Sequence, residues 1–293
     1  MRWLRSWGVV VAFVVADLLV LALAWHQTHR TPVSDGSVIA TSTPSSDETA
    51  DSSITGPLFL AAGADGRVLR VTRGSCDSRD ARRARVWVAS GTDRPLVART
   101  VAGLQEALGV LAGGSALRIV GADADCKLHA WTSVDAGATW KRGAVPSRIW
   151  YLDTDTTKSA VHGPVTGGVQ NLDCVPVSVT TLPGATHALV SCSGSNLLDV
   201  PDDADAATVS YTVTGAVAAA QPASGLPLVL AESDTCTAQL ARIASQAAAT
   251  QIACLSTTAA PLGLAIAGDR VLAQVGQRLL LSTDLGKSFT TYP

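Results

Sequence analysis

Hydrophobic and polar positions divide the chain into three stretches. Gly8 to Trp25 is almost continuously apolar. Its length predicts a membrane-spanning helix, and Trp3, Trp7 and Trp25 bracket it as interfacial aromatic residues do. Thr31 to Thr55 is built from Ser, Thr, Asp and Pro, with no aromatic residue and no Lys or Arg. Such a stretch cannot bury enough apolar surface to offset its ordering entropy. From Pro57 onward, short alternating or continuous apolar runs are broken by Gly, Asp and Ser, the signature of strands joined by tight turns. The division reads as a cytoplasmic stub and anchor over residues 1–30, a disordered linker over 31–56 and an extracytoplasmic β domain over 57–293.

Five runs in the last stretch share the form strand, turn, strand. They begin at Pro57, Ala116, His187, Pro227 and Arg270. Their spacing of about 40 to 70 residues brackets the length of one four-stranded propeller blade. An all-β domain of five blades is expected, or six if Ser147 to Asp153 opens a further, weaker copy. Gln239 to Ala249 carries helical propensity through its alanines, but its neighbours follow the strand template.

Six cysteines, Cys76, Cys126, Cys174, Cys192, Cys236 and Cys254, all follow the apolar segment, and none forms a Cys-x-x-Cys pair. An even count on one side of a membrane segment reads as disulfides in an oxidising compartment. Cys174 and Cys192 flank the Leu182-Pro183-Gly184 turn symmetrically, and Cys236 and Cys254 flank Ser245, so each pair falls opposite in a hairpin. That leaves Cys76 for Cys126, one of 15 connectivities open to six cysteines.

Arg2 and Arg5 before the apolar segment place the N-terminus inside, although His26, His29 and Arg30 weaken the asymmetry. Asp17 near the centre of the segment costs roughly 2.5 to 3.5 kcal/mol. Either it is a tolerated lone acid or it pairs with a partner helix. Ala22-Leu23-Ala24 also fits a small-x-small cleavage site, so the alternative to a retained anchor in the lipid bilayer through residues 8–25 is secretion after cleavage near Ala24. Net charge is -2 with 16% charged residues, which argues against a nucleic-acid partner. Arg outnumbers Lys and Ala, Val and Gly dominate, a bias typical of high-GC genomes such as those of actinobacteria.

Ser133-Val-Asp135-Ala-Gly137-Ala-Thr139-Trp140 follows a predicted strand, and Ser282-Thr-Asp284-Leu-Gly286-Lys-Ser288-Phe289 repeats it with conservative changes. Each has the logic of a turn: a carboxylate to accept from backbone N–H groups, a glycine for positive φ, and an aromatic residue to pack beneath. The two octapeptides resemble the Asp-box, or BNR, repeats of sialidase, sortilin-type and photosystem-assembly propellers. That resemblance implies a structural role for the motif between the outer strands of a blade. It also raises a sialidase-superfamily glycoside hydrolase as an alternative function. The arginine triad and Tyr-Glu pair of sialidases are not selected by any pattern here, since Arg148-Ile149-Trp150 is not the Arg-Ile-Pro signature, and Tyr151, Tyr211, Tyr292, Glu106 and Glu232 are the domain's only tyrosines and glutamates.

No nucleophile elbow, zinc-protease helix, Walker loop or dinucleotide fingerprint occurs, so no catalytic residue, cofactor or metal is assigned. The acidic runs Asp123/Asp125, Asp153/Asp155 and Asp202/Asp203/Asp205 lack full calcium-loop spacing and read as solvated turns. His129, His162 and His187 fall in different copies. Trp131 and Trp150-Tyr151 are either core residues or a sugar-stacking platform. A basic stretch runs from Arg67 to Arg99, with Arg79, Arg82, Arg83 and Arg85 at its centre. It is either a solvated blade edge or a surface for anionic lipid headgroups, wall polymers or an acidic protein. The reading these features favour is a membrane-tethered, non-enzymatic binding or scaffold propeller with an unknown protein, glycan or cell-wall partner. Besides the hydrolase, an assembly factor for a membrane complex is the other alternative.

Overall fold

The computed structural model describes residues 57–293 apart from 77–81, 156, 165–168, 194–195 and 204–207. The expected anchor at residues 8–25 and the linker at 31–56 lie outside the described residues. All regular structure in the described residues is β, and among them no helix is long and apolar enough to cross a membrane.

Among the described residues twenty-three strands form six antiparallel meanders in chain order. Blade 1 is β1 (Leu58–Ala62), β2 (Val68–Thr72), β3 (Val86–Ala89) and β4 (Val97–Arg99). Blade 2 is β5 (Glu106–Gly113), β6 (Ala116–Ala122), β7 (Leu128–Ser133) and β8 (Lys141–Gly143). Blade 3 is β9 (Tyr151–Leu152), β10 (Ala160–His162) and β11 (Val169–Asn171). Blade 4 is β12 (Pro176–Thr181), β13 (His187–Cys192), β14 (Asn196–Pro201) and β15 (Val209–Thr212). Blade 5 is β16 (Ala216–Ala220), β17 (Leu228–Ala231), β18 (Ala238–Ser245) and β19 (Ala248–Ser256). Blade 6 is β20 (Pro261–Ala267), β21 (Arg270–Val275), β22 (Arg278–Ser282) and β23 (Thr290–Thr291).

The result is a six-bladed propeller, which corrects the expected five. Blade 3 is the weak copy near Ser147–Asp153; its strands of two or three residues are too short to show a periodicity, and among the described residues it has three strands where the others have four. The first sequence copy was also out of phase. It spans the first and second strands of its blade, whereas the other four copies span the second and third. The cause is the long connection from Thr72 to Val86, which breaks the hairpin signal that the second and third strands give elsewhere.

Blade stacking explains why many strands read as continuous apolar runs. A middle strand is covered on both faces by neighbouring blades, so β17 is buried at all four positions and β21 at five of six; alternation survives only where one face meets water. Gln239–Ala249 likewise forms strand and turn, because packing on blade 6 overrides alanine's helical preference. Near the axis the inner strands crowd together and small residues become a requirement. A Cβ on Gly109 would lie 2.5 Å from the Trp150 carbonyl oxygen, and one on Gly263 2.8 Å from Leu58 Cδ2.

The joints between blades differ. Blades 1 and 2 are fastened by backbone and side chain: Ala107 N donates to Arg73 O at 2.6 Å, Ala84 N to Gln105 O at 2.8 Å, and buried Glu106 takes Arg73 Nε at 3.0 Å and Cys76 N at 3.2 Å. The Cys76–Cys126 disulfide crosses the same joint, while Cys174–Cys192 and Cys236–Cys254 each close a connection within or beside one blade. All three pairings are those expected from the sequence. Among the described residues blades 6 and 1 exchange no strand, and their joint is made by side chains. Leu58, Leu60 and Val68 pack on Ala265, Leu272, Leu279 and Tyr292, and Tyr292 Oη donates to Gly91 O at 2.9 Å.

Candidate functional site

The inner strands β1, β5, β12, β16 and β20 enclose a central channel of about 740 Å³. A smaller cavity of about 360 Å³ lies toward the starts of β1, β12, β16 and β20, with Leu58 and Ser178 shared between the two. The larger cavity is walled mainly by aliphatic residues, alanine and glycine, with Ser178, Thr180, Thr181 and Gln221 as neutral polar groups. Its only charged lining residues are Arg118 and Arg148, and among the described residues that line it there is no carboxylate, imidazole, thiol or phenol.

Arg118 sits in β6 opposite Leu111 of β5, and Arg148 lies on the segment that leads into β9. Sequence reading assigned neither a role. For Arg118 a signal existed: a lone cation inside the apolar run Ala116-Leu-Arg-Ile-Val implies that its strand borders solvent or a cavity there. Arg148 gives no such signal, because its neighbours form no regular pattern.

The two octapeptides occupy equivalent turns, between β7 and β8 of blade 2 and between β22 and β23 of blade 6. In the first, Ser133 Oγ donates to Asp135 Oδ1 at 2.8 Å and accepts from Gly137 N at 2.8 Å. Thr139 donates to the same carboxylate through its N–H at 2.9 Å and its hydroxyl at 2.6 Å. In the second, Ser282, Asp284, Gly286 and Ser288 reproduce all four bonds at 2.7, 2.8, 2.9 and 2.6 Å. Backbone conformation repeats as well: Ala136 and Gly137 have φ of 53° and 79°, and Leu285 and Gly286 have 56° and 89°. Trp140 Nε1 donates to Gly137 O at 3.2 Å, and Phe289 packs against the core. Hydrogen bonding by Thr139 first, then Ser133, holds the Asp135 carboxyl down at about 2, and the Ser288 and Ser282 hydroxyls lower Asp284 in the same way. These carboxylates are saturated by their own turns.

The basic stretch disperses once folded. Arg67 is tied to Asp65 and to the carbonyls of Gly114 and Ser115, and Arg73 to Glu106. Arg70 lies over the Trp87 ring at 4.3 Å, its pKa lowered to about 10 by burial. Arg82, Arg83 and Arg85 are exposed on the approach to β3, and Arg79 lies outside the described residues. Trp131 and Trp150 are fully buried, their indole N–H groups donating to Ala102 O and Ala185 O, so they offer no sugar platform. His129, His162 and His187 each meet one aspartate of the same blade, at 3.0 to 3.1 Å. Among the described residues no three metal-ligating side chains converge.

No protein-family model and no curated protein matches the chain. Solved structures do. A catalytically inactive virginiamycin B lyase from Staphylococcus aureus with quinupristin superposes at a TM-score of 0.50, with 11% identity over 84% of this chain and 86% of that one. YCF48 bound to D1 peptide gives 0.46 and 14% identity over 82% and 83%, and a chain of the mitotic checkpoint complex 0.47 and 11% over 89% and 87%. The likeness is one of fold. These neighbours are β-propellers, and what they are named for differs from one to the next.

Proposed function

We propose that this chain is a membrane-tethered, extracytoplasmic binding propeller whose central channel is the ligand site. The observation that carries the reading is the channel itself: about 740 Å³, within the range of small-molecule sites, with apolar walls and two cations. Among the described residues the wall holds no carboxylate, imidazole or thiol that could act as general acid or base or activate its Ser and Thr hydroxyls, which suits holding a ligand better than transforming one. It also tells against the hydrolase alternative, which requires paired acidic groups flanking a scissile bond. The three disulfides support folding in an oxidising compartment, and with the apolar run at residues 8–25 they favour a domain outside the membrane. The two matched turns favour reading Ser133–Trp140 and Ser282–Phe289 as Asp-boxes that serve the fold.

The test is native purification of the full-length chain from its membrane, followed by identification of what is released from it by mass spectrometry. The comparison is Ala112→Trp, which projects an indole into the channel. A molecule that accompanies the wild type and is absent from the plugged variant supports the channel as the site. The same companions on both proteins, or turnover of a sialoside that the plugged variant loses, would refute the reading.

A further inference from the structure

We infer that the channel receives an organic anion, its apolar body lying along the channel wall and its charge met by Arg118 and Arg148; this rests on the channel being the binding site. The physical case begins with what the two arginines lack. Among the described residues neither guanidinium has a hydrogen-bond or ion-pair partner, whereas Arg67 Nε donates to Asp65 Oδ2 at 2.6 Å and Arg73 Nε to Glu106 Oε1 at 3.0 Å. Other arginines, Arg70 and Arg99 among them, also lack a carboxylate; what sets Arg118 and Arg148 apart is their place as the two cations in the wall of an apolar channel.

Among the described residues that line the channel no carboxylate offsets the charge. Asp65, one residue beyond the lining Ala64, is spoken for by Arg67, whose other guanidinium nitrogens hold the carbonyls of Gly114 and Ser115 at the channel rim. Low-dielectric walls focus the field of unpaired cations and raise the local concentration of anions. Arg118 is half-buried and Arg148 exposed at the edge of the channel, so a neutral ligand would draw water from the Arg118 guanidinium without supplying a counter-charge, and a cationic ligand would add repulsion. An anion resolves both, and the planar guanidinium fork suits carboxylate and phosphate oxygens alike. Val110, Leu111, Leu264 and Ile266 line the same cavity, so the anion should carry an apolar body.

The experiment uses the full-length chain in zwitterionic nanodiscs, with protein-free discs as the blank, and equilibrium dialysis of three ligands sharing one ring system: 1-naphthoate, 1-naphthyl phosphate and neutral 1-naphthamide. The expected result is that at least one anion binds about tenfold or more tightly than the amide, the yield of a charge-assisted hydrogen bond over a neutral one. Its advantage should vanish in Arg118→Gln and Arg148→Gln and persist in Arg118→Lys. It should also shrink at about 1 M salt, where the Debye length is about 3 Å. The salt arm needs no variant to fold, since it acts on the wild type. Which of naphthoate and naphthyl phosphate binds better assigns the head group as carboxylate or phosphate. Equal binding of anions and amide, insensitive to salt and to Arg118→Gln, overturns the anion inference and leaves the channel reading standing. Binding of none of the three overturns both.

Discussion

Gly137, in the turn after β7, lies against Val88 of the preceding blade: a Cβ on the glycine would come within 2.7 Å of the valine Cγ2. Gly286 stands in the same relation to Leu240 of blade 5. The turn thus seals one blade onto the next, and positive φ at both glycines adds a second reason for the residue type. Gly137→Ala should destabilise the domain by about 2 to 4 kcal/mol, combining a left-handed conformation with overpacking. Chemical denaturation measures it. A loss below about half a kcal/mol would mean that the turn does not bear on the joint.

The same turns set an acid limit. Asp135 titrates at about 2 in the folded chain against 3.8 as its ordinary value, and Asp284 is also lowered. A depressed folded-state pKa gives stability that is present above the unfolded value and is lost as pH falls through the folded one. The melting temperature of the wild type should therefore drop between about pH 4 and pH 2, and Asp135→Asn with Asp284→Asn should flatten that drop while lowering stability at neutral pH. Parallel melting curves for the two proteins across this window would contradict the assignment.

How much of this was legible in the sequence depends on which residues carried a local signal. The octapeptides and the paired cysteines were legible because their partners are near in sequence and their chemistry is residue-specific. Blade count was not, since β9 is two residues long and β10 and β11 three each, and such strands have no period to detect. The channel was invisible because it is made by five inner strands from distant parts of the chain, each of which alone reads as an ordinary buried strand. Arg70 and Arg73 show the converse. Counted along the chain they enlarge a basic surface; in the fold one lies over Trp87 and the other against Glu106, and neither contributes to that surface.

Glu106 is 3% exposed and is the carboxylate that both Arg73 and the Cys76 amide address. Glu106→Gln keeps the shape and removes the charge, leaving a buried guanidinium uncompensated. The expected loss is about 3 kcal/mol. The double variant Glu106→Gln with Arg73→Met should recover part of it, and a double-mutant cycle showing no coupling would place the stabilisation elsewhere.

Cys76–Cys126 closes a separation of 50 residues, against 18 for each of the other two bridges. Chain-entropy reasoning assigns about 4 kcal/mol to the long loop and about 3 to each short one. Replacing Cys76 and Cys126 by serine should therefore be the most damaging of the three paired replacements. It should also loosen the joint between blades 1 and 2 specifically, with hydrogen exchange rising at Ala84 and Ala107, whose amides cross that joint. Faster exchange in blade 5 instead would point to a general loss of stability.

Ring closure offers the sharpest local test. With no strand exchanged between blades 6 and 1 among the described residues, Tyr292 has a side chain that both fills the seam and bonds across it. Burial raises its pKa to about 12, so the phenol stays protonated and able to donate over the whole working range of pH. Tyr292→Phe retains the ring and leaves Gly91 O without its donor, a loss of about 1 kcal/mol; Tyr292→Ala removes the packing too and should cost about 3 kcal/mol or more. Because the opening is confined to one seam, its signature is regional: exchange should rise in β1, β2, β21 and β22 before the rest of the ring responds. Uniform acceleration across all six blades would mean that the ring opens as a whole and that its closure is not the weakest joint.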